Sequence, residues 1–133
     1  MKTRTIDTNI LVRVLARDDS KQWQVAAEIL RTSNVVILST VLLETEWVLR
    51  KSIGMTSRQI AGLFRSLLAL DTIVFREKER VVSALDAFEA GLDFADAFHV
   101  SSLDAGETFV TFDRDLVKLA QQHIDHVSIE LAS

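Results

Sequence analysis

Asp7, Glu44, Asp96 and Asp113 are the residues of this sequence best suited to do chemistry. Asp7 closes a short apolar stretch in Thr5-Ile6-Asp7-Thr8-Asn9. Glu44 sits in an otherwise apolar run, Val41-Leu42-Leu43-Glu44. Asp96 lies in Asp93-Phe94-Ala95-Asp96-Ala97, and Asp113 follows Thr108-Phe109-Val110-Thr111-Phe112. A carboxylate in an apolar setting is costly unless something offsets its charge. Several carboxylates gathered together also repel one another. A divalent cation relieves both conflicts, and hard cations prefer oxygen ligands. The pattern therefore points to Mg²⁺ or Mn²⁺ held by all four acids. The chemistry would be metal-assisted phosphodiester hydrolysis, which needs no histidine, serine or lysine nucleophile.

The elements that must position these acids can be read from hydrophobic periodicity. Strand-like runs are expected at residues 4–6, 35–38, 72–75, 108–111 and 126–130. Helical patterns fill the gaps at 9–17, 21–31, 40–52, 57–70, 80–90, 93–105 and 115–123. Gly54, Gly91 and Gly106 follow three of these helices as stops, and Ser57 and Asp93 are expected to cap two. Strands separated by helices need crossovers, so a mostly parallel central sheet in a small three-layer α/β/α domain is expected. In an open parallel sheet, ligands bind at the carboxyl ends of the strands. Asp7 and Asp113 each follow a strand, so they should share that edge. Glu44 falls about one turn past the 35–38 strand and should lean over it. Asp96 opens a helix that leads back to the sheet.

Taken singly, three of the acids have plainer explanations. Asp7 and Asp113 suit helix N-caps, and Asp96 suits a first helical turn, where the dipole favours negative charge. Glu44 resists capping and reads as a buried glutamate, or as one looking outward near Arg50 or Lys51. Asp93 reads as a cap more than as a support to the metal ligands, and Asp115 as a first-turn acid more than as a metal contact through water. His99 reads as a core or rim histidine, and Trp23 and Trp47 as core or interface residues more than base-stacking ones. Arg13, Arg17, Arg50, Lys51 and Arg114 are candidate phosphate contacts.

The 133 residues suit one domain, 1–133, and a 48% hydrophobic content is enough for a core. No apolar run approaches the roughly 20 residues of a membrane span. No apolar leader is seen at the N-terminus, so a cytoplasmic protein without membrane partners is expected. The absence of cysteine excludes disulfides and thiolate metal sites. The net charge of −4 is unevenly spread. Residues 1–70 carry 10 Lys/Arg against 6 Asp/Glu, and residues 71–133 carry 5 against 13. Either a basic N-terminal half faces phosphates while acids hold metal, or the asymmetry is solvated surface.

The motifs Asp7-Thr8-Asn9, Glu44 with Trp47-Val48-Leu49, Asp93-Phe94-Ala95-Asp96-Ala97-Phe98-His99 and Thr111-Phe112-Asp113-Arg114-Asp115 resemble those of PIN-domain ribonucleases. The likeness is greatest to VapC-type toxins of bacterial toxin–antitoxin pairs. It spans essentially the whole chain, in order. It implies Mg²⁺- or Mn²⁺-dependent endoribonuclease activity through metal-activated water, with RNA as substrate, a homodimer and a cognate antitoxin. It carries the catalytic and metal-binding roles onto Asp7, Glu44, Asp96 and Asp113, with Asn9 and Thr111 as supporting polar groups. Two rivals are a catalytically silent metal-binding module and a phosphoacceptor receiver-like domain. Receivers usually have adjacent acids after the first strand, whereas Thr8 follows Asp7 here.

Overall fold

A computed structural model describes residues 1–17, 20–124 and 126–133. The chain divides into two compact units, Met1–Lys78 and Glu79–Ser133.

The first unit contains β1 (Lys2–Thr5), α1 (Thr8–Ala16), α2 (Lys21–Thr32), β2 (Ser33–Ile37), α3 (Ser39–Val48), α4 (Ser57–Leu68) and β3 (Ile73–Phe75). Its sheet runs in the order β1-β2-β3, all parallel. Arg4 lies opposite Val35, and Val35 opposite Ile73. The middle strand buries Val35, Val36 and Ile37 in succession. An unbroken apolar run is what a strand covered on both faces requires. Leu11, Leu42, Leu49, Ile60 and Phe64 are completely buried. Each belongs to a helix or helical turn whose apolar residues recur at helical spacing.

Two helix ends differ from expectation. The helix expected over 40–52 is α3 followed by a π-helical turn, Leu49–Ile53. Gly54 closes it with φ +85°, and the Met55 amide reaches back to the Leu49 carbonyl at 2.9 Å. That left-handed backbone is why glycine stands there. The cap of α4 is Thr56, not Ser57. Thr56 Oγ1 accepts from the Gln59 amide at 3.2 Å, and Gln59 Oε1 accepts from the Thr56 amide at 2.9 Å. The reciprocal pair forms a capping box, which places the cap one residue earlier.

The second unit contains most of α5 (Lys78–Glu89), then α6 (Phe94–Ser101), β4 (Thr108–Thr111), α7 (Arg114–His123) and β5 (Ser128–Leu131). β4 and β5 pair in parallel across the α7 crossover, with Thr108 opposite Ser128 and Thr111 opposite Leu131. Phe94 meets Phe88 and Phe98 edge-on, at centroid distances of 4.9 and 5.2 Å. Such edge contacts suit the aromatic quadrupole. They anchor the start of α6, the helix that carries Asp96. α6 stops at Ser101, short of the expected 105. The Ser102 amide turns back to the His99 carbonyl, and Ser102 Oγ donates to the Phe98 carbonyl at 2.7 Å.

All strand pairings among the described residues are parallel, and helices connect the strands. The α/β class expected from the sequence is therefore found. No described helix is long and apolar enough to cross a membrane.

Candidate active site

Each unit holds two of the four acids. In the first unit, Asp7 lies two residues beyond β1 and caps α1. Its Oδ1 accepts from the Ile10 amide at 3.0 Å. Thr8 Oγ1 donates to Glu44 Oε1, which ties α3 to the start of α1. Asp7, Thr8, Asn9, Val12, Val41, Glu44 and Val48 line one open pocket of about 470 Å³. The plain and the chemical readings of Asp7 are thus compatible. One carboxylate oxygen satisfies a helix amide, and the residue still faces a pocket shared with a second acid.

In the second unit, Asp113 lies two residues past β4 and caps α7, accepting from the Leu116 amide at 3.1 Å. Thr111 Oγ1 accepts from the Asp113 amide at 3.0 Å. That gives the supporting threonine a definite task, fixing the turn that carries the acid. Asp93 caps α6, accepting from the Asp96 amide at 3.3 Å. Asp96 sits in the first turn of that helix. Burial raises the Asp96 carboxyl above its ordinary value of 3.8, and the negative charges of Asp93 and Asp113 push the same way. His99, one turn further along, partly opposes them. The His99 ring stacks on Phe109 with centroids 6.1 Å apart. His99 is exposed, so it is not a core histidine.

The buried acid on α3 is Glu46, not Glu44. Glu44 is exposed, whereas Glu46 is 3% exposed. The reason is helical period. Leu42, Thr45, Glu46 and Leu49 are spaced as i, i+3, i+4 and i+7 and form the buried stripe. Glu44 and Trp47 fall on the outer side. Arg50, one turn after Glu46, meets it with Nε–Oε2 at 2.7 Å and Nη2–Oε1 at 3.4 Å. Arg50 is therefore a partner of Glu46, not of Glu44.

The other cations differ in placement. Arg17 lies over the Trp23 ring, 6.0 Å from its centroid. Lys51 and Arg114 are exposed. Arg13 lines a groove between α1 and α2. Sequence reasoning also missed Thr8 as the partner of Glu44. An oxygen donor next to Asp7 was the available signal.

Among the described residues, no group of three or more His, Asp or Glu side chains could hold a metal ion. The donors within each pair are nonetheless all carboxylate oxygens. The crowding of negative charge at Asp96 is the environment a hard cation relieves.

Parallel strands joined by helices, with acids placed just past the strands, define an α/β protein with candidate acidic sites at its strand ends. More particularly, the PIN domain family matches residues 5–122, and the chain belongs to that family. The matched span takes in all four acids. Membership brings with it a nuclease-type function, hydrolysis acting on nucleic acid. No curated protein matches the chain.

Proposed function

We propose that this chain is a Mg²⁺- or Mn²⁺-dependent endoribonuclease of the VapC type, the toxin of a type II toxin–antitoxin pair, with residues 1–133 acting as one domain. The observation that carries this reading is the family match across residues 5–122, which includes Asp7, Glu44, Asp96 and Asp113. In this reading the four acids together hold the cation. When bound, such an ion supplies charge for the phosphoryl oxygens and an activated water. The chain's own residues do the rest. Thr8 orients Glu44, Thr111 fixes the turn that carries Asp113, and exposed Arg114 faces solvent beside that acid, ready for a phosphate. RNA cleavage in Mg²⁺ buffer, loss of cleavage on adding EDTA, and recovery with excess Mg²⁺ are the expected results. Undiminished cleavage in EDTA, or none with metal present, would overturn the reading.

We also propose a homodimer and an antitoxin partner. The apolar stripe of α4 does not serve association, because Ile60, Ala61, Phe64 and Leu67 are buried within the protomer. Trp47, Ile53, Leu70 and Val74 are among the large apolar side chains left exposed in the first unit, and they support a self-contact. Sedimentation is expected to show a dimer, and a monomer at high micromolar concentration would refute it. The groove between α1 and α2, lined by Ile10, Val25, Ala26 and Ile29, suits an apolar antitoxin segment. A basic residue on that segment would neutralise the acids. Antitoxin affinity should then fall far more when groove contacts are removed than when an acid is neutralised, because a screened charge pair is weak.

A further inference from the structure

Phe112 is 83% exposed, the most open of the large apolar side chains described. It stacks on no other ring among the described residues. The backbone around it is nevertheless held on both sides. The Ala132 amide donates to the Thr111 carbonyl at 2.7 Å, and the Asp113 amide donates to Thr111 Oγ1 at 3.0 Å. Asp113 in turn caps α7 through the Leu116 amide. The ring is thus presented from an ordered turn between a strand and a helix. Neither the turn nor the cap uses the aromatic group, since Thr111 and Asp113 perform those tasks. An exposed phenyl forgoes the gain of burial, so this position leaves that gain open to a ligand.

The surroundings narrow the ligand. Asp113, Arg114 and Asp115, the next three residues, are all exposed and charged. A protein-docking face would present a contiguous apolar patch, and exposed Val110 is the apolar neighbour nearest along the chain. A single aromatic face beside charged groups instead matches a nucleotide, which has a flat apolar base and a charged phosphate. Bases paired within a duplex are stacked and withheld, whereas single-stranded bases can lie on an aromatic side chain.

We propose that Phe112 is a stacking platform for one base of a single-stranded RNA substrate whose backbone passes Asp113. The proposal rests on the nuclease reading and deepens it by naming a substrate contact. Phe112 directly precedes Asp113, and consecutive Cα atoms stand about 3.8 Å apart, so one strand can pass both residues. Stacking tolerates any base, so Phe112 adds affinity and registers the strand without selecting sequence.

The test uses the full chain with Asp7→Asn to prevent cleavage, and a labelled single-stranded RNA of mixed sequence. Adding Phe112→Ala should weaken binding by about 5- to 150-fold. Phe112→Trp should retain affinity, and Phe112→Leu should behave like alanine because leucine has no π-face. All variants should unfold at nearly the same temperature, since the ring is not in the core. An abasic ribose-phosphate strand should bind the parent and Phe112→Ala equally. Equal RNA affinity of the parent and Phe112→Ala would overturn stacking while leaving the nuclease reading intact. Full retention by leucine, or an effect confined to self-association, would also overturn it. Failure of the wild-type chain both to bind and to cleave RNA would remove the nuclease reading and this proposal together.

Discussion

Replacing Asp7 or Asp96 by asparagine is expected to reduce RNA cleavage by at least about 100-fold. Losing a group that merely orients a metal ligand typically costs 10- to 100-fold. A charged ligand itself should cost more. Asparagine keeps nearly the same shape and still offers an oxygen, so helix capping by residue 7 survives while the charge is lost. The two variants differ in a second readout, stability without metal. Burial and the charges of Asp93 and Asp113 raise the Asp96 carboxyl in the folded chain. The folded state then binds this proton more tightly than the unfolded state does. The contribution of Asp96 to the stability of the metal-free protein must therefore fall as pH rises from about 3.8 through the raised folded value. Asp96→Asn removes that penalty. It should unfold at a higher temperature than wild type above this window and match it below. Denaturation across pH in EDTA, alongside cleavage in Mg²⁺, checks both. Full cleavage by both variants would refute the assignment of these acids.

Much of this arrangement was legible in the sequence because it rests on local chemistry. The 35–38 and 108–111 segments are apolar and β-branched, and strands occupy Ser33–Ile37 and Thr108–Thr111. Asp7, Asp93 and Asp113 precede amphipathic segments, and each caps a helix through its side chain. A cap needs only its own next three residues, so sequence suffices. Helix ends were harder. The π-helical turn at Leu49–Ile53 and the early stop of α6 depend on alternative hydrogen bonds that periodicity does not encode.

The candidate site was legible by residue type and less so by orientation. An apolar run makes every residue in it look buried, so the run alone cannot tell whether Glu44 points inward or outward. Only the phase of the helix separates it from Glu46, two residues away and on the opposite side. Phe112 was overlooked for the converse reason. A phenylalanine at the end of a strand reads as core, and its exposure follows from where the turn points. Thr8 belongs to neither class. Its contact with Glu44 joins residues 36 positions apart, which no local pattern specifies.

Arg50→Ala is expected to destabilise the protein by about 3 kcal/mol, a drop of roughly 10 °C in melting temperature. The reasoning follows from the burial of its partner. Glu46 has 4% of its side chain exposed, whereas Arg50 has 32%. Removing the guanidinium leaves a carboxylate on the buried stripe of α3 with its main counter-charge gone. Breaking one side of a buried pair costs about 3–5 kcal/mol, and the partial solvation of Arg50 favours the lower figure. Glu46→Gln should cost less, about 1 kcal/mol, because the amide oxygen can still accept from Arg50 and the exposed guanidinium keeps water. The double variant Glu46→Leu with Arg50→Met should regain most of the loss, since an apolar pair fills the stripe without stranding a charge. This series also decides whether Arg50 touches RNA. A purely structural arginine predicts that the double variant cleaves RNA as fast as wild type per folded molecule. Denaturant melts of the three variants and cleavage rates for the double variant are the measurements. A melting temperature for Arg50→Ala within a degree of wild type would show that the pair does not hold α3 in place. A stable double variant with lost cleavage would return Arg50 to the phosphate contacts.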